Sequence, residues 1–175
     1  DSGAPLRLIE TTVAVNDQRK RTMARRIVLA CGGNVRAKTV AVLGLTFKPN
    51  TDDVRDAPSL SIIQALIDFG AHVRVYDPEG MEQARLMLGA SVEYAKGAYE
   101  CAKSADALVI VTEWNQFRAL DFARLSRTMS KHVVVDLRNI YRREDICKHG
   151  FEYVNIGEGV AGDSPEFAEA AEIGR

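Results

Sequence analysis

Residues 44–59 read GLTFKPNTDDVRDAPS and follow a short apolar run. The turn that cradles phosphate in a dinucleotide-binding unit needs three glycines, one for the bend and two for close approach of backbone and helix. This stretch has one, Gly44, with Thr46 and Pro49 in the other places, and the next helix starts only near Pro58. The loop is therefore about ten residues longer than that turn. A loop of this length carries side chains outward to a ligand held elsewhere. Lys48 and Arg55 are its useful bases: an ammonium suits a single anionic oxygen, and a guanidinium suits a bidentate phosphate or carboxylate. Phe47 can lean on a base or a sugar. Arg55 has a second possible role, pairing with Asp52, Asp53 or Asp56, and the spacing leaves both open.

Three further stretches belong with this loop. Asp77 ends an apolar run where a ribose-binding acid would stand, although Asp-Pro is also a common turn start. Thr112-Glu113-Trp114 can wall a pocket or cap a helix with a core tryptophan. In Asp136-Leu137-Arg138, a buried aspartate can fix the arginine or leave it for a ligand. His72, His132 and His149 have no i,i+4 partner or carboxylate cluster beside them, so neither a metal site nor a catalytic triad is expected.

The elements that must position these residues alternate. TVAVLG (39–44), AHVRVYD (71–77), SVEYA (91–95), DALVIVTE (106–113), HVVVDL (132–137) and FEYVNIG (151–157) read as strands. SLSIIQALIDFG, MEQARLMLG, AYECAKSA, FRALDFARLSRTM and YRREDICKHG read as the helices between them. Near-continuous Val, Ile and Leu in the strands argue for a sheet covered on both faces. The expectation is an α/β fold: a doubly wound, mostly parallel six-stranded, Rossmann-like sheet of order 3-2-1-4-5-6, preceded by a long helix. In such a sheet ligands sit beyond the carboxyl ends of the strands, where the order reverses. That is where 44–59, 112–114 and 136–139 fall.

The helix before the first strand runs from Pro5 to Cys31 without internal proline or glycine and stops at Gly32-Gly33. Ile9, Val13, Asn16, Lys20, Ala24 and Ile27 follow a three-four spacing. At about 40 Å it exceeds the width of a small domain, so part of it must project or pack outside, as a connecting helix or a dimer spine. The expected divisions are 1–33, the helix; 34–157, the sheet domain; and 158–175, a loose tail.

Of the 175 residues, 46% are hydrophobic and 27% charged, as in an ordinary globular domain. A net charge of −1 gives no general attraction to nucleic acid or to acidic membranes. The longest apolar runs are too short to span a bilayer. Cys31, Cys101 and Cys147 have no CxxC spacing and are expected as buried thiols of a reducing cytoplasm. The chain opens on Asp1 and runs straight into helix, which suggests a piece of a longer protein.

The run VAVLGLTFKPNTDDVRDAPS resembles the signature of the C-terminal domain of the UDP-glucose/GDP-mannose dehydrogenase family. VNDQRKR, GAHVRVYDPEG, ADALVIVTEWNQF and VVVDLRNIY are similar to that domain too, so the resemblance covers residues 5–157. Within the family it is greatest to the members that oxidise UDP-glucose to UDP-glucuronate with two NAD. The resemblance implies that the long helix forms the core of a homodimer and that the loop grips a UDP-sugar between two domains. Lys48, Phe47 and Arg138 would then contact the substrate, and Arg55 the NAD held chiefly by a preceding N-terminal domain. The family's reactive cysteine lies in a Gly-Gly-Ser-Cys-Phe-like motif that this sequence does not contain. This chain alone is therefore expected to be inactive. A sister dehydrogenase acting on GDP-mannose or UDP-N-acetylmannosamine, and a non-enzymatic nucleotide-binding or dimerisation module, are the alternatives.

Overall fold

The computed structural model of the chain describes residues 22–157. Its elements are α1 (22–30), β1 (Thr39–Leu43), α2 (Pro58–Asp68), β2 (His72–Tyr76), α3 (Met81–Leu88), β3 (Glu93–Tyr94) and α4 (Ala98–Ala102). β4 (Ala107–Ile110), α5 (Asn115–Arg118), α6 (Phe122–Thr128), β5 (Val133–Asp136), α7 (Arg143–Cys147) and β6 (Glu152–Asn155) follow. The six strands form one sheet in the order β3-β2-β1-β4-β5-β6. Every pairing is parallel, so the sheet is wholly rather than mostly so.

Because strand side chains alternate between faces, each strand feeds two cores. Val40, Val42, Val73, Val75, Val109, Val135 and Val154 pack with α1, α2 and α3 on one face. Ala41, Leu43, Leu108, Ile110, Val134 and Tyr153 pack with α4, α5, α6 and α7 on the other. Burial on both faces is why these strands read as continuous apolar runs.

Helix α1 belongs to this assembly. Ala24, Ile27 and Ala30 are buried, and Ile27 and Ala30 join the first core. Gly32 and Gly33 take φ of +81° and +82°, and Gly33 N donates to Val28 O at 2.9 Å, closing the helix as expected of a glycine stop. Arg26 Nη1 donates to the carbonyls of Asn155 (3.0 Å) and Ile156 (2.8 Å). The helix thus descends from the carboxyl edge of the sheet. Ile9, Val13, Asn16 and Lys20, and the tail from 158, lie outside the described residues.

Three expectations are corrected. FRALDFARLSRTM is two helices, α5 and α6, because Asp121 leaves the helical conformation and its side chain accepts from Arg124 N at 3.0 Å, starting a new helix. AYECAKSA yields the single turn α4, since Ser104 adopts φ +57° and Arg74 Nη1 takes up the carbonyls of Cys101 and Lys103. SVEYA contributes only the two-residue edge strand β3.

Candidate nucleotide-sugar site

The loop between β1 and α2 is rigid at its base and exposed at its tip. Leu45, Thr46, Val54, Ala57 and Ser59 are buried, whereas Phe47, Lys48, Asn50, Asp52, Arg55 and Asp56 are exposed. Phe47 N donates to Asp53 O at 2.9 Å, which pinches the tip into a closed turn. Ser59 Oγ donates to Leu45 O at 2.6 Å and ties the first turn of α2 to the loop's start. Gly44 has φ +93°, and a Cβ there would lie 2.5 Å from Thr112 N. The single glycine therefore serves close passage of this loop against the end of β4, not approach to a phosphate.

Asp77 is the anchor beneath the loop, and it corrects the ribose-binding reading. It is fully buried. Its Oδ2 accepts from Leu45 N (2.7 Å), Thr46 N (3.1 Å), Thr46 Oγ1 (3.1 Å) and Trp114 Nε1 (3.1 Å). Its Oδ1 accepts from Glu79 N (3.0 Å) and Gly80 N (2.8 Å). Six donors saturate the carboxylate. A ribose hydroxyl finds no acceptor here, and with Thr46 and Pro49 in place of glycines this sheet's own turn does not fit a dinucleotide. Thr112 Oγ1 donates to Thr46 O at 2.6 Å, so the ends of β1, β2 and β4 are knitted into one block. Trp114 is the core residue and helix cap expected.

The candidate ligand residues stand on this block. Phe47 is 59% exposed, unusual for a phenyl ring and open to a flat partner. Lys48 is exposed and makes no hydrogen bond or ion pair among the described residues. Arg55 forks onto Asp53, with Nε–Oδ1 at 3.0 Å and Nη2–Oδ2 at 3.1 Å. That hydrogen-bonded guanidinium holds the Asp53 carboxyl below its usual range. The two side chains are 81% and 41% exposed, however, and so open an ion pair contributes little. The pair orders Arg55 without removing it from a ligand's reach. Asp52, Asp53, Arg55 and Gln83 of α3 line a shallow hollow of about 270 Å³.

Arg138 lies on the loop after β5, two strands away from β1. Of the two roles open to Asp136, fixing this guanidinium is not the one it takes. Asp136 accepts from the backbone N–H groups of Arg138 (2.9 Å), Ile140 (2.8 Å) and Tyr141 (3.2 Å), and from Tyr153 Oη (2.8 Å). It shapes the loop and leaves the guanidinium alone. The Arg138 side chain instead donates through Nε to Glu113 Oε2, and that hydrogen bond holds the Glu113 carboxyl below its usual range. Burial together with the nearby Asp136 charge pushes the Tyr141 hydroxyl up, and burial with a hydrogen bond to Asp136 does the same to Tyr153. Both stay neutral donors.

The thiols stand apart from these loops. Cys101 is buried and pushed up to about 12, and Cys31, half-buried, to about 11, both chiefly by desolvation. Cys147 is exposed at the end of α7, against the expectation of three buried thiols. A hollow of about 540 Å³ opens at the amino edge of β1, β2 and β3, opposite the candidate loops. Among the described residues no helix is long and apolar enough to cross a membrane.

Known proteins resemble this chain in sequence and in fold. The chain is 59% identical over 157 residues to a UDP-glucose 6-dehydrogenase of Rhizobium meliloti (strain 1021), covering 90% of this chain and 36% of that protein. A second UDP-glucose 6-dehydrogenase, from Bacillus subtilis (strain 168), is 36% identical over 165 residues, covering 94% of this chain and 36% of its own. The structure of a UDP-glucose dehydrogenase from the hyperthermophilic archaeon Pyrobaculum islandicum superposes with a TM-score of 0.65 at 34% identity, covering 82% of this chain and 30% of that one. The chain thus spans about a third of the length of the curated relatives it matches. With residues 41–143 matching the family's UDP-binding domain, the chain belongs to the UDP-glucose/GDP-mannose dehydrogenase family.

Proposed function

We propose that this chain is the UDP-sugar-holding part of a UDP-glucose 6-dehydrogenase, an enzyme that oxidises UDP-glucose to UDP-glucuronate with two NAD. The observation that carries the reading is 59% identity to a protein of that name over nearly the whole chain. Lys48 meets an anionic oxygen of the substrate, Phe47 packs on its base or sugar, and Arg138 offers its guanidinium from the neighbouring loop. Arg55 reaches the NAD that another part of the enzyme holds. Support comes from their exposure on a rigid base and from Lys48 having no partner among the described residues. The thiol chemistry is assigned elsewhere in the enzyme, because Cys31 and Cys101 are protonated at neutral pH and Cys147 lies away from the loops. Residues 1–33 act as the central helix of a homodimer, 34–157 as the sugar-nucleotide domain and 158–175 as its tail, in a cytoplasmic enzyme.

The test is NADH formation by the full-length protein that carries this chain. It should make two NADH per UDP-glucose and discriminate against GDP-mannose and UDP-N-acetylmannosamine. Preference for either of those sugars would reverse the substrate assignment. The 175-residue chain alone should make no NADH even at high concentration. Clear turnover by it would refute the placement of the thiol and the dinucleotide outside it.

A further inference from the structure

Glu113 and Arg138 face each other from the carboxyl ends of adjacent strands, where Ile110 of β4 is in register with Asp136 of β5. Neither backbone is free to wander. Glu113 sits between Thr112, bonded through Oγ1 to Thr46 O (2.6 Å), and Trp114, bonded through Nε1 to Asp77 (3.1 Å). Arg138 N is held by Asp136 Oδ1 at 2.9 Å, and the next residue, Asn139, bends sharply at φ +54°. Between these fixed points the carboxylate takes only Nε of the guanidinium. Nη1 and Nη2 make no hydrogen bond among the described residues, which leaves the end-on fork, the pair of donors that suits a phosphate or carboxylate. The side chains are 39% and 26% exposed, so the pair adds little to stability. Its consequence is orientation.

We propose that Glu113 is a positioning residue: it holds Arg138 by Nε so that the Nη1/Nη2 fork points at an anionic group of the nucleotide sugar. A long arginine searches many rotamers, and an arginine already ordered loses less freedom on binding. Glu113 thereby lowers the cost of substrate capture without touching substrate. This rests on the substrate role of Arg138 proposed above.

The experiment is a double-mutant cycle in the full-length enzyme, reading kcat and the KM for UDP-glucose and for NAD. Arg138→Ala should raise the UDP-glucose KM by tenfold or more, the loss of a charge-assisted hydrogen bond. Glu113→Ala should raise it by roughly three- to tenfold, with kcat and the NAD KM nearly unchanged. The double variant should be no worse than Arg138→Ala alone, because Glu113 acts only through the guanidinium. Glu113→Gln, which keeps shape and one acceptor, should fall between wild type and Glu113→Ala, and serves where the alanine variant folds poorly. An unchanged UDP-glucose KM in Arg138→Ala would remove the substrate role of Arg138 and this proposal with it. A normal loss in Arg138→Ala with additive effects in the double variant would overturn the positioning role alone. So would a lowered KM in Glu113→Ala, which would make Glu113 a competitor for the fork, or matched rises in both KM values with a lower melting temperature.

Discussion

Lys48 and Arg55 are seven positions apart on one loop, yet they stand in different states: the ammonium is unpaired among the described residues and the guanidinium is lent to Asp53. If the loop faces two ligands, their losses separate. Lys48→Ala should raise the KM for UDP-glucose roughly ten- to a hundredfold and leave NAD nearly alone, and Arg55→Ala should do the reverse. Arg55→Lys should recover only part of the loss, because an ammonium does not reproduce the fork. Since the Arg55–Asp53 pair is open to solvent, neither variant should move the melting temperature by more than a degree or two. Equal effects on both ligands with lost stability would return Arg55 to a purely structural role. Asp53 and Glu113 both have depressed carboxyl pKa values, caused first by hydrogen bonds from Arg55 and Arg138. Their pairs are fully formed above the unfolded carboxylate range near pH 4 and loosen as pH falls below it, so ligand affinity should not fall with pH between 8 and 6 on their account.

At the scale of elements, the loop between β1 and α2 is held by contacts within the domain itself. Gly44→Ala meets two penalties at once, a left-handed φ and a Cβ 2.5 Å from Thr112 N. A loss on the order of 3 kcal/mol is expected, read as a shifted urea midpoint with unchanged slope. Asp77→Asn keeps the volume but turns an acceptor of six bonds into a group with two donors of its own, set among buried N–H groups. It should cost about 3 kcal/mol or more and loosen the loop, seen as faster amide exchange at Leu45, Thr46 and Gly80. Near-native stability of the asparagine variant would show that water or a rotated side chain satisfies those donors.

For the whole molecule, the doubly wound sheet buries most of what a reagent would seek. Cys147 alone is exposed, while Cys101 is buried and Cys31 half-buried, their thiols held protonated up to about pH 12 and 11. A raised thiol pKa means less thiolate at any pH below it, so the native chain at pH 8 should release about one equivalent from a thiol-titrating disulfide reagent and three after unfolding. Two fast equivalents would place Cys31 in an open site. α1 enters this body from the carboxyl edge of the sheet, tied by Arg26 to the carbonyls of Asn155 and Ile156. Sedimentation of the chain should give a dimer that Ile9→Asp and Val13→Asp together shift toward monomer. A monomer at tens of micromolar would count against the helix as the dimer core.

The strands and their order were legible in the sequence, because a parallel sheet covered on both faces must be written as apolar runs spaced by helices. So was the family, since FKPNTDDVRDAP is a specific string. What Asp77, Asp136 and Glu113 do was not legible. A carboxylate at the end of a strand reads the same in one dimension whether it faces a ribose, a backbone turn or an arginine. Only the tertiary structure decided, by bringing Leu45 and Thr46 from the end of β1 and Trp114 from the end of β4 around Asp77, and by setting Glu113 across from Arg138, 25 residues on. Local pattern is enough to set element type, because backbone geometry repeats every two or 3.6 residues. The partner of a buried charge is set by the sheet register, which joins residues that have no periodic relation in the chain.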